Sequence, residues 1–221
     1  MSSFIISLML LLGNAFATQP VSEENPRAHE VHAGPERNFS TVSEAVVEVR
    51  TILGYGTGTV FQKNSRIFVL TAAHVVDDYE RDGFQVFAVR NGESVEAEVV
   101  YFNQHTDIAI LEIDEMTTVS PIRLKKRRAS LSIGDRVAYC GFPNRADLAC
   151  FAGLVSSMSP GVINVHSYAW MGASGSFVFD ERGRAVGVLS AIEVGRFIGM
   201  PILIEDVVWV MSLDLSILEG L

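Results

Sequence analysis

Short apolar runs separated by Gly, Asn and Asp recur along the chain from Val46 onward. Each run is about the length of a β-strand, and many of its residues are β-branched, which is typical of strands. The runs fall into two series, and this spacing predicts an all-β protein of two six-stranded antiparallel β-barrels. The first series is Val46–Val49, Gly58–Phe61, Ile67–Leu70, Phe84–Val89, Val95–Val100 and Ile108–Ile113, and the second is Arg136–Cys140, Ala149–Ser156, Gly161–His166, Ser176–Phe179, Ala185–Ser190 and Phe197–Ile204.

The period of the pattern changes near the end of the chain. Between 205 and 218, apolar residues such as Val207, Met211 and Leu218 recur at a spacing that places them near one face of a helix. We therefore expect barrel one over about 44–118, a charged connector around 117–130, barrel two over about 130–204, and a C-terminal helix over 205–218. Together they make one domain, 44–221.

The N-terminal segment predicts export. Residues 1–17 carry no charged side chain and end in Ala15–Ala17, a small-x-small pattern that signal peptidase cleaves. We interpret 1–17 as a signal peptide and 18–43, which is polar and rich in turn residues, as a flexible leader. The expected location is secreted or periplasmic, without stable membrane insertion after cleavage. The n-region lacks Lys and Arg, so the alternative is an uncleaved N-terminal membrane anchor.

Composition narrows the classes of partner. Hydrophobic residues make up 48% of the 221-residue chain, which is enough to close a core and argues against disorder. The net charge of −9 provides no overall positive field for a polyanion, so we expect no nucleic-acid partner. The one basic run, Lys125–Arg128, is interpreted as a solvated connector rather than a nucleic-acid or lipid patch.

The two cysteines, Cys140 and Cys150, flank a turn-like segment. In an exported protein they can pair as a disulfide across two antiparallel strands. The alternative is a pair of buried free thiols. No His lies close to them in sequence, so we expect no metal site there.

Three segments carry residues suited to nucleophilic catalysis. His74 follows the predicted strand Ile67–Leu70, Asp107 opens an apolar strand, and Ser174 lies in the glycine-flanked Gly172–Ser176. A serine hydroxyl needs a base to remove its proton, and an acid can orient that imidazole and stabilise its charged form. Gly172 allows a turn in which its N–H and that of Ser174 converge on a developing oxyanion.

These segments together resemble the chymotrypsin-fold (trypsin-like) serine proteases, with the bacterial Deg-like and glutamyl-endopeptidase-like branch most similar. The order His, Asp, Ser matches, and so do Thr71–His74 and the glycine-rich Gly54–Phe61. The resemblance spans about residues 46–210. It implies a chymotrypsin-like fold, the triad His74, Asp107 and Ser174, an oxyanion hole from Gly172 and Ser174, and no cofactor or metal. Since the chain stops at Leu221, we expect no PDZ domain after it.

The resemblance also suggests a substrate class. It places Tyr168 at the base of the pocket for the residue before the scissile bond, and Ser190, Ala191 and Ile192 along the cleft edge. Because Tyr168 carries no charge, a buried Lys or Arg would lack a partner there. We expect a serine endopeptidase that cleaves polypeptides after small or apolar residues. The alternative function is a catalytically silent module that binds peptides or proteins through the same cleft.

Overall fold

The computed structural model describes residues 34–197 and 200–221. Most of the regular structure there is β-strand, arranged as two closed barrels of six antiparallel strands each, which confirms the predicted fold class. None of the helices in these ranges has the length and apolar character needed to span a bilayer. The predicted signal peptide and residues 18–33 of the predicted leader lie outside the described residues.

Barrel one has the strand order β1-β2-β3-β6-β5-β4, closed by pairing of β1 with β4. Its interior is filled by apolar side chains, with the Phe61 and Phe68 rings stacked 5.5 Å apart. The strands are β1 Val46–Arg50, β2 Tyr55–Lys63, β3 Arg66–Thr71, β4 Val86–Arg90, β5 Glu93–Asn103 and β6 Ile108–Ile113.

Barrel two repeats this connectivity in the second half of the chain, with the order β7-β8-β9-β12-β11-β10 and closure between β7 and β10. The hairpin of β11 and β12 is long, with 13 residues in each strand. The strands are β7 Arg136–Gly141, β8 Ala149–Ser159, β9 Val162–His166, β10 Phe177–Asp180, β11 Ala185–Phe197 and β12 Met200–Ser212.

The two barrels pack together through the outer faces of β7 and β10. Because successive side chains of a strand point to opposite faces, each strand serves two cores. Val137 and Val178 belong to the interior of barrel two, whereas Cys140, Phe177 and Phe179 join the core cluster of barrel one. The seam between the barrels is therefore apolar and tightly packed. This packing fixes the positions of the loops that adjoin β7 and β10.

The helical elements are short. In the part of the chain that the structure describes, two α-helices, α1 and α2, and four 3₁₀ turns connect or flank the strands. They are α1 Phe39–Ser43 and α2 Asp77–Asp82, with 3₁₀ turns at Pro35–Asn38, Ala73–Val75, Pro143–Arg145 and Leu215–Gly220.

The end of the predicted flexible leader is ordered. Residues 35–43 form a 3₁₀ turn followed by α1, and the Phe39 ring meets Phe179 of β10 edge-on at 6.5 Å. The polar, turn-rich composition of this segment suggested flexibility, but the segment forms short helical elements that pack on barrel two. The domain therefore begins earlier than the predicted boundary at residue 44.

The predicted C-terminal helix over 205–218 is wrong. Residues up to Ser212 continue β12, and only Leu215–Gly220 turns, as a 3₁₀ segment. Val208 and Val210 are buried while Trp209 is 39% exposed, which is the alternation of a strand and not the stripe of a helix. Pairing with β9 on one side and β11 on the other satisfies the backbone of this segment, and its valines favour a strand.

Candidate active site

The register of β3 and β6 brings His74 and Asp107 together. These neighbouring strands are antiparallel, with Thr71 at the end of β3 opposite Ala109 near the start of β6. His74 follows β3 within the turn Ala73–Val75, and Asp107 immediately precedes β6 with a positive φ of 50°. Asp tolerates this left-handed conformation better than most residues, and the conformation turns the side chain back toward His74.

Asp107 holds the histidine by both its ring and its backbone. His74 Nδ1 lies 2.8 Å from Asp107 Oδ2 and 3.1 Å from Oδ1, and the His74 N–H donates to Oδ1 at 2.9 Å. Because an ionised carboxylate only accepts, Nδ1 carries the proton in this pair. Nε2 is then the nitrogen that can accept a proton from elsewhere.

Ser190 completes the surroundings of Asp107. Its Oγ donates to Asp107 Oδ2 at 2.5 Å. Burial opposes the charged form of the carboxyl, but hydrogen bonds from His74 and Ser190 outweigh burial and hold the pKa of Asp107 below its ordinary value. The carboxylate therefore stays ionised beside the imidazole at neutral pH.

Ser190 is a predicted cleft-edge residue, and its contact with Asp107 was not predicted. A β-bulge explains it: the register of β11 against β12 shifts between Leu189 and Ala191, so Ser190 has no partner in the ladder. Bulges re-aim side chains in this way. No residue pattern in Ala185–Ser190 marks the bulge in advance, so the sequence gives little sign of it.

Ser174 lies across the barrel seam from these groups. Its Oγ donates to the carbonyl oxygen of Ser190 at 3.1 Å, and its own carbonyl accepts from the Thr57 N–H of β2 at 2.7 Å. Ser190 thus links Asp107, through its side chain, to Ser174, through its backbone. Within the described ranges no hydrogen bond joins Ser174 to His74.

Two backbone N–H groups, those of Gly172 and of Ser174 itself, are available to a ligand. In residues 34–197 and 200–221, neither the N–H of Gly172 nor that of Ser174 has an acceptor. The carbonyl of Met171 accepts from the Asn144 N–H at 2.6 Å, and that of Ala173 accepts from the Ser176 N–H at 3.1 Å. Because the C=O and N–H of a trans peptide point in opposite directions, fixing these carbonyls also fixes the direction of the two free N–H groups.

Two glycines permit this turn. Gly172 has a φ of +96° and Gly175 a φ of +90°. A Cβ on Gly172 would lie 2.5 Å from the Phe142 carbonyl oxygen, and one on Gly175 would lie 2.0 Å from that of Thr57. Both positions therefore need glycine for conformation and for space.

The predicted substrate-binding residues precede and follow this turn in the chain. Tyr168 is 46% exposed, its ring packs 5.5 Å from that of Phe151, and its carbonyl accepts a hydrogen bond from the Tyr139 hydroxyl. Ala191 and Ile192 are partly exposed and follow the Ser190 bulge in β11. Their role in binding stays a prediction.

Cys140 and Cys150 are directly paired residues of β7 and β8, and a disulfide joins them in the structure. They close the base of the segment that carries Phe142 and Asn144. This is the first of the two alternatives that the sequence left open.

Comparison with known proteins identifies the family. Residues 56–188, more than half of the chain and including His74, Asp107 and Ser174, match the model of the trypsin-like peptidase domain. The chain belongs to the trypsin-like peptidase domain family. The family resemblance expected from the sequence is thereby confirmed.

Relatives of this trypsin-like peptidase domain include HhoA from Synechocystis and the serine endoprotease DegS from Escherichia coli K12. Identity is 26% over 155 residues for HhoA, which is 65% of this chain and 38% of HhoA. For DegS it is 28% over 121 residues, which is 55% of this chain and 32% of DegS. The chain therefore spans about a third of the length of the curated relatives it matches.

A solved structure shares the fold of this trypsin-like domain. The serine endoprotease from Yersinia pestis superimposes with a TM-score of 0.64 at 22% identity, covering 84% of this chain and 64% of that one. This similarity supports the chymotrypsin-like fold.

Proposed function

We propose that this protein is a serine endopeptidase that hydrolyses peptide bonds through an acyl-enzyme, with Ser174 as nucleophile, His74 as general base and Asp107 as the group that orients His74. The observation that carries the proposal is the joining of these residues across the barrel seam. The Asp107 carboxylate accepts hydrogen bonds from His74 Nδ1 and from the Ser190 hydroxyl. The Ser190 carbonyl accepts a hydrogen bond from the Ser174 hydroxyl.

In the first half of the reaction, the Ser174 hydroxyl leaves the Ser190 carbonyl and turns toward His74. Its oxygen forms a bond to the substrate carbonyl carbon as its proton passes to His74 Nε2. The free N–H groups of Gly172 and Ser174 receive the oxygen that becomes negative, a stabilisation of several kcal/mol in related chemistry. The C–N bond then breaks, and His74 gives its proton to the leaving amine.

In the second half, water replaces the amine. His74 removes a proton from water, the hydroxide attacks the acyl carbon, and the ester bond to Ser174 breaks with return of the proton to its oxygen. Asp107 stays ionised throughout and stabilises the imidazolium at each stage, consistent with its lowered pKa.

The proposed substrates are polypeptides cleaved after small or apolar residues. Tyr168 is uncharged, so it provides no partner for a Lys or Arg before the scissile bond. Ala191 and Ile192 are small or apolar, and they lie on β11, where an extended peptide can pair as an additional strand. We further propose that residues 1–17 direct the chain to a secreted or periplasmic location.

One observation favours a second candidate, a catalytically silent peptide-binding module. The Ser174 hydroxyl donates to the Ser190 carbonyl, and the described residues provide no hydrogen bond from it to His74. Turnover separates the two candidates: the peptidase degrades an unstructured protein such as casein, and the silent module binds it without cleavage.

The test compares casein turnover by the wild-type protein, Ser174→Ala and the matched control Ser94→Ala. Ser94 is exposed on β5, near Ala97, which pairs with the end of β6 distant from Asp107. We expect Ser174→Ala to lower kcat on the order of a million-fold, and Ser94→Ala to match wild type. An inert wild-type protein, or a Ser174→Ala variant with full turnover, would end the proposal.

A further inference from the structure

A buried threonine of barrel one makes two hydrogen bonds to the segment Gly172–Ser176 of barrel two, which carries the proposed nucleophile. Thr57 lies in β2 and is 0% exposed. Its N–H donates to the Ser174 carbonyl at 2.7 Å, and its hydroxyl donates to the Gly172 carbonyl at 2.7 Å. Its own carbonyl accepts from the Thr71 hydroxyl at 2.8 Å.

The Thr57 hydroxyl also binds the segment after β7. It accepts the Phe142 N–H at 3.0 Å. Two residues later, the Asn144 N–H holds the Met171 carbonyl at 2.6 Å. One hydroxyl therefore connects the turn that bears Gly172 to the segment that fixes the peptide before Gly172.

These contacts fix both peptide groups that flank the Gly172 Cα. The peptide before it is held by Asn144 at the Met171 carbonyl, and the peptide after it is held by Thr57 at the Gly172 carbonyl. Gly172 has a wide choice of conformation because it lacks a Cβ, so the direction of its N–H depends on these partners. Without the Thr57 hydroxyl, the Gly172 carbonyl loses its partner, and the bond from the Ala173 N–H to the Trp170 carbonyl at 3.0 Å is left to hold the peptide after Gly172.

We infer that Thr57 is a positioning residue whose hydroxyl holds the Gly172 N–H in the direction that binds the oxyanion. This inference rests on the proposed peptidase function. Thr57 does not touch substrate; it acts through the Gly172 carbonyl and through the Phe142–Asn144 segment. Loss of its hydroxyl should weaken binding of the transition state more than binding of the substrate, since the hole is filled only when the oxyanion forms.

The same strand provides a matched control. Thr59 lies two residues further along β2, is also 0% exposed, and its hydroxyl has no hydrogen-bond partner among the described residues. Thr→Val preserves shape and removes a hydroxyl at both positions. At Thr57 it leaves a buried carbonyl and a buried N–H without partners, whereas at Thr59 it leaves nothing unpaired.

The experiment measures kcat and KM on a fluorogenic peptide, inhibition by a peptide boronic acid that mimics the tetrahedral intermediate, and the urea midpoint of unfolding. Removing one oxyanion donor in a serine protease costs about 10²–10³ in kcat. We expect Thr57→Val to lower kcat on the order of 100-fold and boronate affinity in parallel, with KM within roughly threefold. Thr57→Ser should restore kcat to within about threefold, and Thr59→Val should match wild type.

The outcomes separate the two claims. A wild-type protein without turnover or boronate binding contradicts the proposed function itself. An active wild type with a folded Thr57→Val variant of equal kcat overturns the inference alone, as does a loss of kcat without a loss of boronate affinity. If Thr57→Val does not fold, Thr57→Cys decides: a lowered kcat at unchanged KM supports the positioning role, and a wild-type kcat overturns it.

Discussion

The two barrels share one connectivity, and each carries a His–Asp pair where its third and sixth strands meet. In barrel one the pair is His74 and Asp107, with side chains 48% and 15% exposed and Nδ1 2.8 Å from Oδ2. In barrel two it is His166 and Asp206, with side chains 67% and 66% exposed and a longer separation of 3.6 Å. The topology repeats, but the environment of the carboxylate does not.

The difference lies in where each pair sits relative to its strands. His74 and Asp107 stand just outside β3 and β6, in a turn and at a left-handed residue, where their side chains converge. His166 and Asp206 stand within β9 and β12 and project from the barrel surface. Asp107 gains a second side-chain donor from Ser190, so barrel two completes the site of barrel one. An exposed pair in water contributes little, whereas a partly buried and fully hydrogen-bonded pair can orient a base.

The largest expected effect tests this contrast directly. Asp107→Asn should lower kcat on the order of 10⁴-fold, because the amide favours the wrong tautomer of His74. Asp206→Asn makes the same chemical change in barrel two and should leave kcat within about twofold. Steady-state kinetics on one peptide substrate compare the two variants, and equal losses would contradict the distinction between the pairs.

Only the second half of the chain is cross-linked by a disulfide, because both cysteines of the sequence lie there. Replacing Cys140 and Cys150 by Ser should lower the free energy of unfolding by about 3 kcal/mol, the entropy of closing a short loop. Urea unfolding of the oxidised wild type and the double variant measures this difference. A dithiothreitol-treated wild type should match the double variant, and an unchanged midpoint on reduction would contradict the expectation.

A third comparison sets Asp107 against Asp180, a carboxylate of barrel two that we expect to stabilise the fold. Asp180 is 3% exposed and accepts from the Arg182 and Arg184 backbone and from Arg184 Nε. Burial opposes its ionisation, but the hydrogen bonds of Arg184 outweigh burial and hold the pKa of Asp180 below its ordinary value. Asp180→Asn should therefore cost roughly 2 kcal/mol of unfolding free energy at neutral pH without changing kcat.

The pH dependence of that cost follows from the direction of the shift. A lowered pKa in the folded state stabilises the protein above the ordinary Asp value of about 4, and this stabilisation is lost as the pH falls through the folded-state pKa. The gap in unfolding free energy between wild type and Asp180→Asn should thus narrow below about pH 4. A gap that widens on acidification would show that Asp180 is not stabilised by these partners.

The smallest effect separates the two contributions to Asp107. Ser190→Ala removes one donor, so the pKa of Asp107 should rise toward its ordinary value and kcat should fall on the order of tenfold. Titration of the Asp107 carboxyl by NMR follows the pKa, and peptide kinetics follow kcat. If the pKa of Asp107 is unchanged in Ser190→Ala, the hydrogen bonds of His74 alone would account for the lowered pKa.

Local pattern predicts much of this molecule. Short apolar runs rich in β-branched residues predicted both barrels. The place of His74 after a strand and of Asp107 before one led to a candidate site that the register of β3 and β6 explains. The end of β12 was misassigned as a helix because Val207, Met211 and Leu218 also fit a helical stripe, and short apolar runs are ambiguous between the two periods. Pairing with β9 and β11 decides it, and that information is not local.

The contacts that cross the seam could not be derived from the sequence. The bulge that turns Ser190 toward Asp107 depends on the register of the long β11–β12 hairpin. Thr57 resembles any buried strand threonine until the segment Gly172–Ser176 packs on it, and the hydroxyl of nearby Thr59 has no partner among the described residues. Both roles arise from tertiary packing between residues more than 80 positions apart.

The most direct measurement is the site and rate of reaction with a fluorophosphonate. After labelling of the wild-type protein and proteolytic digestion, mass spectrometry should locate the adduct on Ser174, and His74→Ala should slow its formation by a factor on the order of 10³ or more. An unlabelled wild type, an adduct on another serine, or equal labelling of His74→Ala would contradict the claim that His74 and Asp107 activate this hydroxyl.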